Sequence, residues 1–156
     1  MSFDDADIHS LHRLVYFSRA TVNAADELAP IMDSILAAAV ARNARRGVSG
    51  VLLACDKWFL QALEGDRLRV GEIYYLISQD ARHRDLRIIK AGPIERRDFK
   101  EWGMCGRTLS PTDDAIVSTL ESRKSFDPAD LSPQGALKLL ETVRNYKIRA
   151  LRSAFR

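Results

Sequence analysis

The chain has 156 residues, 46% of them hydrophobic and 29% charged, a balance that suits one soluble globular domain. No apolar run reaches the ~18–20 residues of a membrane span, and the acidic, polar start MSFDDADIHS excludes a secretory signal. The net charge of +3 and pI near 9.0 make the surface mildly basic, which suits an anionic ligand or partner as readily as a solvated surface.

The two cysteines, Cys55 and Cys105, lack both metal-ligand spacing and disulfide-scaffold density. Reduced thiols in a cytoplasmic protein are their simplest account. Arginines gather at Arg42, Arg45 and Arg46, between Arg82 and Arg87, and at Arg96-Arg97.

Taken in order, LHRLVYF at 11–17 reads as a first strand, with Leu14 and Tyr16 on one face and Val15 and Phe17 on the other. A polar stretch then leads to a helix marked by Ile31, Ile35, Leu36 and Ala39. Pro30 fits near its start, and Arg45-Arg46-Gly47 makes a good stop. Residues 48–65, VSGVLLACDKWFLQALEG, read as a hairpin turning at Asp56-Lys57. Asp66 is a plausible N-cap for a second helix running to about Gln79, with Val70, Ile73, Leu76 and Ile77 on one side. The segment ARHRD is a polar connector, LRIIKAGPI a fourth strand, and EWGMCGRTL around Trp102 a fifth. Ser110-Pro111 and Ser132-Pro133 look like helix starts, FDPAD like a loop. Leu137, Leu140, Val143, Tyr146 and Leu151 stripe the last helix.

This order predicts an α+β fold: a ferredoxin-like βαββαββ sheet with two helices on one face. The strands are apolar on both faces, so C-terminal helices are expected to cover the other. The expected division is a domain at 10–110 and a helical extension at 111–156, which packs on the sheet or mediates oligomerisation and output.

One residue stands out. Phe59, Gln61 and Leu63 share a strand face, so a neutral amide lies between large apolar neighbours. Buried without a partner it would cost roughly 1–3 kcal/mol, so Gln61 needs a polar partner inside the fold. A satisfied core glutamine is the plain alternative. No catalytic set or metal motif accompanies it: His9, His12 and His83 are unspaced, and Gly47 and Gly50 read as turn and packing residues. The topology does offer a slot between two helices on a sheet. Its walls would be Ile35 and Ile77, its floor Tyr16 and Gln61. Its mouth would hold Arg42, Asn43 and Asp80, followed by Arg82 and His83. A flat heteroaromatic molecule fits such a slot.

Four stretches together resemble the BLUF domain, the flavin-binding blue-light sensor: LVYFSRA at 14–20, NARRGVSGVLL at 43–53, WFLQALEGD at 58–66, and ISQDARHRDLRI at 77–88 with FKEWGM at 99–104. The resemblance spans roughly residues 10–110. The residues after it are similar to the helical extension of short members. It implies FAD as cofactor, FMN or riboflavin being compatible with the same ring pocket, with the isoalloxazine between Ile35 and Ile77. It implies that Asn43 bonds the ring's O4/N3 edge, that Arg42 faces the pyrimidine, and that Asp80, Arg82 and His83 lie along the ribityl and phosphate side. It implies a blue-light receptor rather than an enzyme. Tyr16 would give an electron and a proton to the excited flavin, the Gln61 amide would rearrange, and a reversible red-shifted state would follow. Trp102 and Met104 would belong to the element that relays the change. Ala39 departs from the pattern, since some similar proteins carry serine there. By the same analogy the protein is an oligomer acting on a separate partner, an EAL-type cyclic-di-GMP phosphodiesterase being one candidate. No membrane, metal or nucleic acid enters this reading. The alternatives are an RNA-binding ferredoxin-like module, which would need an open aromatic sheet face, and a small acylphosphatase-like hydrolase, for which no phosphate loop is recognisable. A plain dimerisation module is compatible with the photosensor.

Overall fold

The computed structural model describes residues 10–21, 25–55, 58–100, 105–109 and 128–154. Five strands, β1 (Leu11–Ala20), β2 (Ser49–Cys55), β3 (Trp58–Asp66), β4 (His83–Pro93) and β5 (Cys105–Leu109), form one sheet in the order β4-β1-β3-β2-β5. Helix α1 (Ala25–Arg45) links β1 to β2, and α2 (Arg67–Ser78) links β3 to β4. A 3-10 turn at Pro128–Asp130 precedes α3 (Pro133–Ala154). β3 runs antiparallel to β1 and β2, β4 antiparallel to β1, and β5 parallel to β2. This is the expected ferredoxin-like α+β fold with a fifth strand added beside β2.

Period-two alternation divides the strand residues between two cores. Leu14, Tyr16, Leu52, Phe59 and Leu63 face α1 and α2, meeting Ala39, Val70 and Ile73. Val15, Phe17, Val51, Leu53, Leu60 and Ala62 face the other way, onto Ala136, Leu139, Leu140 and Val143 of α3. Each fully buried Leu or Val contributes about 1.5–3 kcal/mol, so Leu139, Leu140 and Val143 anchor α3 firmly to the sheet.

Both helix signals flanking the hairpin act as expected. Gly47 takes φ +64, Val48 N–H donates to the Asn43 carbonyl at 2.9 Å, and Gly47 N–H to that of Ala44 at 3.2 Å. That is a Schellman ending, which only a residue tolerant of positive φ completes cheaply. Asp66 caps α2 by accepting the Arg69 N–H at 2.9 Å.

Some boundaries differ from expectation. β1 continues to Ala20, and β4 begins at His83 because Ala20 pairs with it. His83 therefore stands on a strand, not in a connector. Pro30 is the sixth residue of α1, not near its first, and cannot donate to the carbonyl of residue 26. On α3 the buried stripe is Ala136, Leu139, Leu140 and Val143, while Leu137 packs at its margin. The expected stripe passed over both Ala136 and Leu139, which are fully buried. Of the FDPAD loop, Pro128–Asp130 is a short 3-10 turn. The Asp56-Lys57 turn, the Ser110-Pro111 helix start, and Trp102 and Met104 lie outside the described residues.

Candidate functional site

The slot is built on one row of the sheet. Tyr16 on β1 is the direct cross-strand partner of Gln61 on β3, which is in turn the partner of Leu52 on β2. Cross-strand partners point to the same side, so all three project beneath the helices. Tyr16 is 2% exposed and Gln61 3%. The phenolic hydroxyl donates to Gln61 Oε1, so the buried amide has its polar partner. Burial, reinforced by Tyr74, holds the Tyr16 hydroxyl well above the ordinary phenol range, so it remains a donor. Tyr74 stands edge-on to the Tyr16 ring at 5.4 Å between centroids.

Above this floor the slot is lined by Ile35, Ala38, Ala39 and Arg42 from α1, by Ile77, and by Asp80, Arg82 and His83 beyond α2. Its free space, open mouth included, is about 460 Å³. Ile35 and Ile77 are half-buried on the two walls. Asp80 and Arg82 close the mouth as a pair: Arg82 Nε lies 2.9 and 3.0 Å from the two carboxylate oxygens, and Nη1 donates to Ser34 on α1 at 3.2 Å. The Arg82 hydrogen bond holds the Asp80 carboxyl below its ordinary value and raises the guanidinium in return. Arg42 is half-buried, and desolvation, with Arg46 nearby, lowers its pKa.

Asn43, expected at the mouth beside Arg42, is wholly buried and is not among the residues that line the slot. Its Oδ1 accepts from Arg42 Nε at 3.2 Å. Its Nδ2 has no partner among the described residues. A buried donor left so costs roughly 1–3 kcal/mol. A carbonyl-bearing ring at the α1 end of the slot would satisfy it. Apolar walls, an unpaired amide donor and cations at the mouth are the complement of a flavin, and the donor set fits that group.

His83 has a different setting from the one its sequence position suggests. Its Nε2–H donates to the Ile77 carbonyl at 2.7 Å, which leaves Nδ1 to accept from the Ser18 hydroxyl, also at 2.7 Å. Both ring nitrogens are thus engaged with the protein, and the ring ties the Ile77 wall to β1. Ser18, Ala38, Leu52, Phe59 and Tyr74 were not singled out as site residues from sequence. Ser18 and Phe59 each lie two residues from a floor residue, so strand periodicity carried that signal. Leu52 needed the register. Among the described residues no group of His, Cys, Asp and Glu is placed to hold a metal ion.

Comparison with known proteins matches the sequence and the overall fold. The family model for BLUF, sensors of blue light using FAD, matches residues 11–105. The photoactivated adenylate cyclase subunit beta of Euglena gracilis is 32% identical over 127 residues, covering 76% of this chain but 14% of that protein. Among solved structures, the dark state of the BLUF protein BlrB is 30% identical with a TM-score of 0.71, over 90% of this chain and 98% of that one. BlsA in its photo-activated state is 26% identical with a TM-score of 0.73, over 85% and 94%. The sheet with two helices on one face, together with the family match, makes the class that of flavin-binding blue-light sensors. The chain belongs to the BLUF family.

Proposed function

We propose that this chain is a blue-light receptor that binds FAD in the slot between α1 and α2 and uses Tyr16 and Gln61 as its switch. The observation that carries this reading is the buried Tyr16–Gln61 hydrogen bond at the slot floor. Ile35 and Ile77 would bracket the isoalloxazine, and Asn43 Nδ2 would donate to a ring carbonyl. Arg42 would face the pyrimidine side. Asp80 and Arg82 would flank the ribityl and phosphate side, with His83 positioning the Ile77 wall.

When bound, the flavin supplies an electron acceptor that blue light makes strongly oxidising. Tyr16 would give the bound flavin an electron and then a proton, and its hydrogen bond to Gln61 Oε1 offers that proton a path along the floor. The Gln61 amide would rearrange by rotation, tautomerisation or both. Return of the electron and proton to Tyr16 would leave no net reaction, only an amide with a new set of partners. Two amide arrangements of comparable energy make a two-state element that light can bias.

The change has a physical route outward. Gln61 and Glu64 lie three residues apart on β3 and face opposite sides of the sheet. Glu64 is wholly buried and accepts from Arg13 Nε at 2.8 Å and from the Phe99 N–H at 2.7 Å. Arg144 of α3 donates to the Asp98 carbonyl. A shift of β3 therefore reaches α3 through residues 98–99, and Trp102 and Met104 follow next in sequence. We infer that light alters the packing of residues 111–156 and so the affinity for a partner, or the state of an oligomer. Enzymes of cyclic-nucleotide signalling, an EAL-type phosphodiesterase among them, are the partner class proposed. The binding half of the proposal is tested by titrating the protein, stripped of any chromophore, with FAD, FMN and riboflavin. Saturable one-to-one binding, tightest for FAD, is expected, and failure of all three to bind would sink it.

A further inference from the structure

The face of the sheet covered by α3 is covered unevenly. α3 lies over β1, β2, β3 and β5. β4 is the outer strand on the β1 side, with no residue of it fully buried. Between β4 and the first turns of α3 runs a groove lined by Val15, Lys90, Pro93, Ile94, Pro133 and Leu137, with about 500 Å³ of free space, mouth included.

Alongside it stands a row of cations. Val15, Phe17 and Arg19 alternate onto the α3 face of β1, and their partners across the ladder are Lys90, Arg87 and Arg84. Those three are separated by odd steps, which a regular strand would send to alternate faces. Two register shifts, between Val15 and Tyr16 and between Phe17 and Arg19, each insert one residue in β4 and bring all three to the same side. All three are exposed. Arg84 has only Asp85, at 3.8 Å, as an exposed ionic neighbour. Arg87 and Lys90 pair with no carboxylate among the described residues. Edge protection needs charge, but it does not need three like charges turned to one face beside an apolar groove.

We infer that this groove and its cationic row form a docking site for an acidic amphipathic helix of another protein. The β1 partners of the cations are spaced by about 6.8 Å, two strand residues. Carboxylates four residues apart on a helix are spaced by about 6 Å, and the helix's apolar side would lie in the groove. A nucleic acid fits less well, because the two aromatic rings nearest the cationic row are capped. Arg87 lies over Phe17 and Arg19 over Trp58, at 6.0 and 5.5 Å. A second copy joined edge to edge would set the same three cations against their own kind. The bulges also spoil β4 as a template for an added strand. This site stands apart from the flavin reading, being on the opposite face of the sheet.

The test uses the full chain, in darkness and under blue light, with a fluorescent synthetic helical peptide carrying Glu at every fourth position and Leu on the opposite side. The controls are the same residues shuffled and a single-stranded RNA. The peptide should bind at least about tenfold more tightly than either. The double substitution Arg84→Glu with Lys90→Glu should weaken it by about tenfold or more. The pair Arg84→Ala with Lys90→Ala, which adds no repulsion, should weaken it less, in the same direction. Equal binding of the shuffled peptide, tighter binding of the RNA, indifference to both double substitutions, or no binding in either light condition would each overturn the assignment.

Discussion

Gln61 looks misplaced in the sequence and is buried at the slot floor against Tyr16. Its amide oxygen accepts from Tyr16, which stands opposite in register, and that register, unlike the residue's oddity, is invisible in a string of letters. Asn43 is the opposite case. Its sequence context, the end of a helix, is an ordinary place for asparagine. Only the fold reveals that a Schellman ending fixes its backbone while its Nδ2 is buried without a partner. Asn43→Ala should therefore weaken flavin binding by about tenfold, the value of one recovered hydrogen bond, with the fold intact by circular dichroism. An unchanged dissociation constant would remove Asn43 from the site. Tyr16 makes a prediction about pH. Its folded-state pKa is raised by burial above the ordinary 10.0. The stability tied to the protonated phenol is thus fully present below pH 10 and is lost as pH rises beyond it, because the unfolded chain ionises first. Denaturant titrations of the wild type and of Tyr16→Phe should differ by a constant offset below pH 10 and by a changing one above it, the wild type losing stability faster there.

At the level of elements, strand and helix identities followed from periodicity and capping, since those signals are local. Gly47 and Asp66 did what their chemistry dictates. What periodicity missed is where tertiary pairing decides. β4 extends to His83 because β1 extends to Ala20, and the buried face of α3 turns on Ala136, whose small size carries little hydrophobic signal. Glu64 belongs to the same class. A glutamate in WFLQALEGD reads as the polar end of a strand, yet it is wholly buried and holds the Asp98 and Phe99 amides together with Arg13. Glu64→Ala should cost at least about 1–3 kcal/mol in chemical denaturation, because it leaves two amides without their acceptor and takes from Arg13 one of its two carboxylate partners, Asp98 being the other. Glu64→Gln, which keeps an acceptor, should cost clearly less. Equal losses would mean that packing, not hydrogen bonding, is what Glu64 provides.

For the whole molecule, the sheet separates two tasks. One face, under α1 and α2, holds the slot; the other, under α3, holds the contacts through which a change at Gln61 can leave. The sequence disclosed this division through strands apolar on both faces, but not the means of crossing it, which depends on Glu64 and Arg144 meeting the same short segment. If the C-terminal region is the relay, Arg144→Ala, which removes the donor to the Asp98 carbonyl and leaves the buried stripe of α3 in place, should keep flavin binding and the spectral response, while light should change partner affinity or oligomeric state less than in the wild type. An undiminished light-dependent association in that variant, measured by sedimentation or pull-down in both light conditions, would place the output elsewhere.

The central claim is that light is read by the Tyr16–Gln61 pair. Its most direct test is the visible absorption spectrum of the purified protein before and after blue light, recorded for the wild type and for Gln61→Leu. The wild type should show a flavin spectrum that shifts to the red and recovers in the dark, whereas Gln61→Leu should bind flavin and show no shift. A wild-type protein that binds flavin without shifting, or a Gln61→Leu protein that shifts as the wild type does, would contradict the account.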